Sequence, residues 1–71
     1  MLFRAKVIIS MKLDDYMGNE IEVPHGTVVE VYGVVYEPVD GFNTSGAAFV
    51  FSYEGAKCFL TENVNNFVLE Q

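Results

Sequence analysis

Short segments of alternating apolar and polar residues, separated by turns that contain glycine or proline, constrain the fold of this chain more than any other feature. The longest of them covers residues 27–36 and reads TVVEVYGVVY. Alternation with a period of two places successive side chains on opposite faces of a β-strand. β-Branched and aromatic residues favour that conformation. Because the sequence has no segment with helical periodicity over three turns, it predicts an all-β fold.

The same pattern predicts where the elements lie. Gly33 interrupts the long strand and indicates a bulge or a sharp bend. The stretch 11–19 reads as an irregular excursion and 37–46 as a loop, while Thr61 is expected to cap a single helical turn. The predicted strands cover residues 3–10, 20–23, 27–36, 47–52, 56–60 and 67–69.

Length and composition limit the chain to one domain over residues 1–71. Hydrophobic residues make up 51% of it, and ten residues are aromatic, so the chain should fold around a small, ring-rich core. Its one cysteine, Cys58, excludes an intrachain disulfide and points to a reducing, cytoplasmic setting. The longest apolar run is far shorter than the ~18 residues of a membrane-spanning helix, so no membrane partner is expected.

The formal net charge of −6 limits the classes of partner that the sequence predicts. The four basic residues are scattered along the sequence, whereas nucleic-acid binding needs a basic stripe that neutralises phosphates. We therefore expect no nucleic-acid partner. Two interpretations of the acidity stay open: it keeps the protein soluble, or it forms a face that meets a basic partner or imitates nucleic acid.

Two stretches resemble the SH3-like barrel superfamily. Residues 20–31 (EIEVPHGTVVEV) are similar to its alternating strand, diverging turn with glycine and second strand. Residues 53–60 (YEGAKCFL), followed by 67–69, are similar to its distal hairpin, helical turn and closing strand. With the intervening loops the resemblance spans nearly the whole chain. It implies a small five-stranded SH3-like barrel with one short 3-10 turn before the last strand.

The sequence departs from the SH3 domains that bind proline-rich peptides. Those domains use a row of aromatic rings, because a polyproline II ligand packs between flat ridges. Here the first long loop offers only Tyr16, the start of the third strand lacks tryptophan, and the helical turn lacks proline and tyrosine. The chain is more similar in character to small uncharacterised bacterial or phage SH3-like proteins, many of which mobile elements encode.

The sequence favours a protein that is not an enzyme and needs no cofactor. The only histidine, His25, lies in a predicted turn without a partner that would orient it as a base. Cys58 is read as a small buried residue rather than a reactive thiol. The carboxylates at Asp14 and Asp15 do not follow the spacing of a calcium loop, and no other metal site is expected.

The sequence instead predicts a protein-interaction module that binds a protein partner or a second copy as a homodimer. The pair Asp14 and Asp15 beside Tyr16 suits recognition of an arginine- or lysine-bearing segment. One parity of the predicted strand 47–52 would place Phe49 and Phe51 on the outer face with Phe59; the other would bury them, and the pattern favours neither. An acidic inhibitor from a mobile element, acting as a nucleic-acid mimic on a DNA-handling protein, is the alternative function. The predicted partner-binding residues are Asp14, Asp15, Tyr16, Phe42, Phe49 and Phe51.

Overall fold

A computed structural model describes residues 1–15, 17–38 and 45–70, and over these ranges the protein is all-β, as predicted. A five-stranded antiparallel sheet has the strand order β6-β5-β4-β1-β7, and β2 pairs with β3 in a separate two-stranded sheet. In the part of the chain so described, the two sheets are not joined into one closed hydrogen-bonded barrel. The elements are β1 (Phe3–Val7), β2 (Met11–Asp14), β3 (Glu20–Val23), β4 (Val28–Pro38), β5 (Ser45–Ser52), β6 (Leu60–Asn63), the 3-10 turn η1 (Val64–Asn66) and β7 (Phe67–Leu69).

Strand β1 is central to the large sheet because it pairs with β4 on one side and β7 on the other. Ala5 and Val7 are fully buried while Arg4 and Lys6 are exposed, so the strand alternates with the predicted period of two. The expected continuation to residue 10 is wrong: the strand ends at Val7, which exchanges backbone hydrogen bonds with Thr27 and Gly26 at the turn before β4. Gly26 has a φ of 92°, a conformation that favours glycine.

The predicted interruption of the long strand at Gly33 is confirmed. The register of β4 with β5 shifts between Val31 and Gly33. Val29 and Val31 are buried, whereas Tyr32 is exposed on the opposite side. A bulge adds a residue to one strand and bends it, so β4 serves the core with its first half and extends past it with its second.

The stretch 11–19 is more regular than predicted. Its first four residues form β2, which pairs with β3 in a hairpin. Met11 and Leu13 turn inward opposite Val23 and Ile21, and Met11 and Val23 are buried. Two apolar residues in four are too short an alternation to distinguish from a loop by pattern alone.

The predicted return strand 56–60 is also displaced. The tight turn at 53–55 is present, with a φ of 97° at Gly55, but β6 begins only at Leu60. The 3-10 turn before the last strand is confirmed, and its cap is Asn63 rather than Thr61. The Asn63 side chain accepts a hydrogen bond of 2.8 Å from the Asn65 backbone N–H, a capping role that asparagine fills well.

The core lies between the inner face of the large sheet and the β2–β3 hairpin. Both sheets contribute to one cluster of buried apolar side chains, so the hairpin is packed onto the domain. Its members are Ala5, Val7, Met11, Val23, Val29, Val31, Phe51, Leu60 and Phe67.

Candidate interaction surface

The aromatic residues of β5, Phe49 and Phe51, do not lie with Phe59 on the outer face of the sheet, as one parity of 47–52 would have placed them. Phe51, predicted as a partner-binding residue, is fully buried, so its ring does not lie on an accessible face of the sheet. The reason is register: Phe51 lies opposite Val31 on β4 and Leu60 on β6, and cross-strand partners share a face of the sheet. Because Val31 and Leu60 face the core, Phe51 does too.

Phe49 lies on the same inner face but nearer its margin. Its ring packs edge-on against Phe3, with centroids 5.1 Å apart, and against Phe67 at 5.3 Å. The side chain is half-buried, so part of the ring stays accessible beside the core. Two other predicted partner residues, Tyr16 and Phe42, lie outside the described ranges.

Two other rings form an exposed pair on the outer face of the large sheet. Tyr32 and Phe59 lie with ring centroids 5.2 Å apart and are 42% and 50% exposed. We call this pair the outer patch. Tyr32 points outward because it follows buried Val31, and Phe59 because it precedes buried Leu60. A period of two in 27–36 predicts that Tyr32 lies on the face opposite Val31. Its contact with Phe59 depends on the path of the chain before β6, which differs from the predicted strand 56–60.

A groove of about 230 Å³ adjoins the outer patch. It is smaller than the ~300–1,000 Å³ pockets that enclose small-molecule ligands. Its size suits a side chain of another protein. Phe59 belongs to both the groove and the outer patch, which makes the two features continuous. The groove is lined by Ser52, Tyr53, Ala56, Lys57, Cys58 and Phe59.

Asp15, predicted as a partner-binding residue, is buried, and its carboxylate is occupied by hydrogen bonds within the protein. Its Oδ1 accepts hydrogen bonds from the backbone N–H of Met17 (2.9 Å) and of Asn19 (3.1 Å). Its Oδ2 accepts one from the Asn19 side-chain amide at 3.2 Å. The carboxylate is thus used to shape the loop between β2 and β3, as short acidic side chains commonly do in turns.

The pKa of Asp15 reflects opposing influences. Desolvation raises the pKa of the carboxyl, but the three hydrogen bonds and the positive charge of Lys57 lower it, and the net pKa lies below the ordinary 3.8. The backbone carbonyl of Asp15 also accepts a hydrogen bond from the Cys58 thiol. Asp15 therefore connects the hairpin loop to the segment that lines the groove.

Asp14, by contrast, is exposed and lies directly opposite Glu20 in the β2–β3 register. Two carboxylates facing each other across a strand pair destabilise the pairing. The next outward pair, Lys12 with Glu22, has opposite charges. The outer face of the hairpin is therefore acidic at the end that carries the loop.

The chemistry of a catalytic or metal site is not evident in the described ranges. His25 is exposed in the turn before β4, where its backbone N–H donates to Ser10 Oγ at 3.0 Å. No group of three or more metal-ligating side chains lies together within residues 1–15, 17–38 and 45–70. Over the same ranges no helix is long and apolar enough to cross a membrane.

The outer patch with its groove is therefore a surface whose exposed apolar character needs explanation. An antiparallel sheet with one face on the core is expected to carry polar side chains on the other, and Tyr32 and Phe59 depart from that rule. Comparison with protein-family models, curated proteins and solved structures finds no match to this chain.

Proposed function

We propose that this protein is a non-catalytic interaction module that binds another protein through the outer patch and the adjoining groove. The observation that carries the proposal is the half-exposed pair of Tyr32 and Phe59, whose rings meet at a tilt of 50° beside a groove of side-chain size. Tyrosine and phenylalanine are enriched at protein interfaces, and contiguous exposed rings on a small domain usually mark one.

The scaffold of this module is, in our proposal, an SH3-like barrel of the small bacterial or phage type that acts in the cytoplasm. The order of elements supports it: β1, a hairpin excursion, a long bent strand, a tight hairpin, a 3-10 turn and a short closing strand. The antiparallel pairing of β1 with both β4 and β7 agrees with that arrangement.

The outer patch alone is too small for a stable complex. The two rings together expose about 200 Å² of apolar surface, taking half of a ~200 Å² aromatic side chain for each. At ~25 cal/mol per Å², burying that surface gains about 5 kcal/mol, which is comparable to the cost of association. A partner must therefore also insert a side chain into the groove, where Lys57 is exposed and favours an acidic or carbonyl-bearing group.

Placing a lysine at either ring tests the proposal. Tyr32→Lys and Phe59→Lys should each weaken capture of the partner from a bacterial lysate by at least about tenfold, because a charge cannot be buried there without a counter-ion. Self-association, measured as solution mass against concentration, should fall in the same variants if the partner is a second copy. Ile9→Lys, at a residue 54% exposed outside the patch, is the matched control. Retention of the same partner by all three folded variants would exclude the outer patch.

A second function, an acidic inhibitor that imitates nucleic acid, is favoured by the exposed Asp14–Glu20 pair. A fold that keeps like charges in register accepts a small loss of stability, and a basic partner would relieve the repulsion. Binding of this kind is electrostatic, so moderate salt should release the partner, since charges in solution are screened within ~8–10 Å. Capture through the outer patch should instead resist salt.

Glu20→Gln separates the two functions and tests the repulsion directly. Removing one charge of the pair should raise the free energy of unfolding by ~0.2–1 kcal/mol, measured by urea denaturation at low salt, with a smaller gain at high salt. A mimic would lose affinity for its basic partner in the same variant. Glu22→Gln is the control, because Glu22 faces Lys12 and its neutralisation should not stabilise. Equal effects of the two substitutions would mean that the Asp14–Glu20 register does not carry the repulsion.

A further inference from the structure

The second half of β4 presents a free edge. Strand β1 pairs with β4 only from Val28 to Val31, whereas β5 pairs with β4 through to Pro38. Within the described ranges, no strand lies against Val34–Pro38 on the side of β4 where β1 pairs with Val28–Val31. Alternate backbone N–H and C=O groups of such a stretch point away from its one partner, so they are available to another strand.

The side chains at this edge are apolar on both faces. Val34 lies in register with Phe49, and Tyr36 with Ala47, which puts them on the inner face. Val35 lies on the other face, opposite Ala48. Exposure reaches 46% at Val34 and 79% at Tyr36, values that a core-facing strand shows only where the sheet extends past its core.

The free edge also borders an incompletely covered part of the core. Phe49, the register partner of Val34, packs edge-on against Phe3 at the start of β1, and both rings are half-buried. A strand placed against Val34–Tyr36 would continue the line of β1 beyond Phe3. Its inward side chains would lie near these two rings.

Sheet edges are normally protected by charges, proline, bulges or shortness. Between Glu30 and Glu37 the sequence carries no charge, and the bulge and Pro38 stand only at the two ends of the free stretch. The other edges of the large sheet are better protected: β6 carries Glu62, and β7 is three residues long.

The size of the edge identifies the occupant. Five residues at ~3.4 Å each, in sheets spaced ~10 Å, give a strand-to-strand contact of roughly 170 Å² per chain. A stable dimer needs ~800 Å² per partner, and two copies of net charge −6 repel each other. An extended segment of another protein can bury more surface than this strand-to-strand contact, because its side chains can pack onto both faces of the edge. Basic flanks on that segment would complement the charge of this protein.

We propose that Val34–Tyr36 of β4 is a strand-addition site that takes an extended segment of a partner protein, with alternating apolar residues at its centre and lysine or arginine on its flanks. The segment adds a strand antiparallel or parallel to β4 through backbone hydrogen bonds, a mode that gives affinity through the main chain and selectivity through alternate side chains. This site differs from the outer patch in residues and in mode of recognition.

The test uses an acetylated, amidated peptide, Lys-Lys-Val-Thr-Val-Thr-Val-Lys-Lys, titrated into the isotope-labelled protein while backbone amide shifts are followed by NMR. Shifts should concentrate at 33–37. Two N-methylated peptides serve as the backbone controls: one is methylated at every second central residue, and the other at the residues in between. The peptide whose methyl groups replace the amide hydrogens that bond to β4 should bind about tenfold or more weakly, although its side chains are unchanged. Glutamate in place of the flanking lysines should weaken it as well.

Two single substitutions give a test and its control. Tyr36→Ser should weaken the peptide about three- to fivefold by removing a cross-strand aromatic contact, and Ile9→Ser, at an exposed residue outside both β4 and the outer patch, should leave the affinity unchanged. Shifts confined to β6 or β7, full affinity of both N-methylated peptides, or no shift at millimolar peptide would each overturn the proposal. Concentration-dependent broadening at 33–37 without peptide would assign the edge to a second copy instead and overturn the occupant.

Discussion

Phe51→Ala is expected to lower the free energy of unfolding by ~3–5 kcal/mol, the usual result of deleting a buried aromatic side chain. Phe51 is fully buried, and its ring packs against Phe67 with centroids 5.3 Å apart. A domain of 71 residues has a total stability of only about 4–11 kcal/mol. The variant should therefore be largely unfolded well below the midpoint of the wild-type urea transition, as followed by far-UV circular dichroism.

Phe59→Ala is the control, because the same ring is lost from the outer patch rather than from the core. Its cost should be clearly smaller than that of Phe51→Ala, because half of the Phe59 side chain is already exposed to solvent and its ring contacts only Tyr32 among the aromatic residues of the described ranges. Equal destabilisation by the two substitutions would mean that the register of β5 and β6 is not the one described. The comparison decides the parity that the alternation in 47–52 left open.

Asp15→Ala is expected to destabilise the protein by releasing the loop between β2 and β3. The substitution removes the acceptors of three hydrogen bonds and leaves the Met17 and Asn19 backbone N–H groups without their partner. The melting temperature should fall by several degrees. The melting temperature of Asp15→Asn should fall less, because the amide oxygen of asparagine can replace Oδ1 in accepting both backbone hydrogen bonds.

The same carboxylate predicts a particular dependence of stability on pH. The pKa of Asp15 is lower in the folded protein than its ordinary value of 3.8, so the unfolded chain binds the proton more readily. The contribution is complete above the unfolded pKa and is lost as the pH falls through the folded pKa. Asp15→Asn should therefore show a weaker loss of stability on acidification below about pH 4. Parallel acid profiles of wild type and variant would show that the folded carboxylate has no depressed pKa.

Alternation predicted the strands well where they are long and one-sided. Val29 and Val31 are buried and Tyr32 is exposed as the pattern of 27–36 requires, and Gly33 marks the bulge. Alternation missed β2, where the apolar pattern is too short. It also extended β1 too far, because the sequence continues to alternate as far as Ile9 after the hydrogen-bonded ladder has ended at Val7. Pairing, rather than local preference, sets those boundaries.

The candidate site was less predictable because it depends on register. Phe49, Phe51 and Phe59 are all phenylalanines within predicted strands, yet only Phe59 lies on the outer face. Asp15 has the sequence context of a solvated acidic loop, and its burial arises from hydrogen bonds to Met17 and Asn19 and from packing against a segment 43 residues away at Cys58. Nothing local in the sequence indicates that contact.

The position of β1 between β4 and β7 has a consequence for how the protein is made. Ala5 pairs with Leu69, and a ribosome adding ~5–20 residues per second needs roughly 3–12 s to synthesise the sixty-odd residues between them. Until β7 emerges, β1 has an open flank and Val7 lacks its neighbour Phe67. The sheet can therefore complete itself only after the last strand has left the exit tunnel, and a nascent chain stalled earlier would expose an apolar edge that chaperones bind.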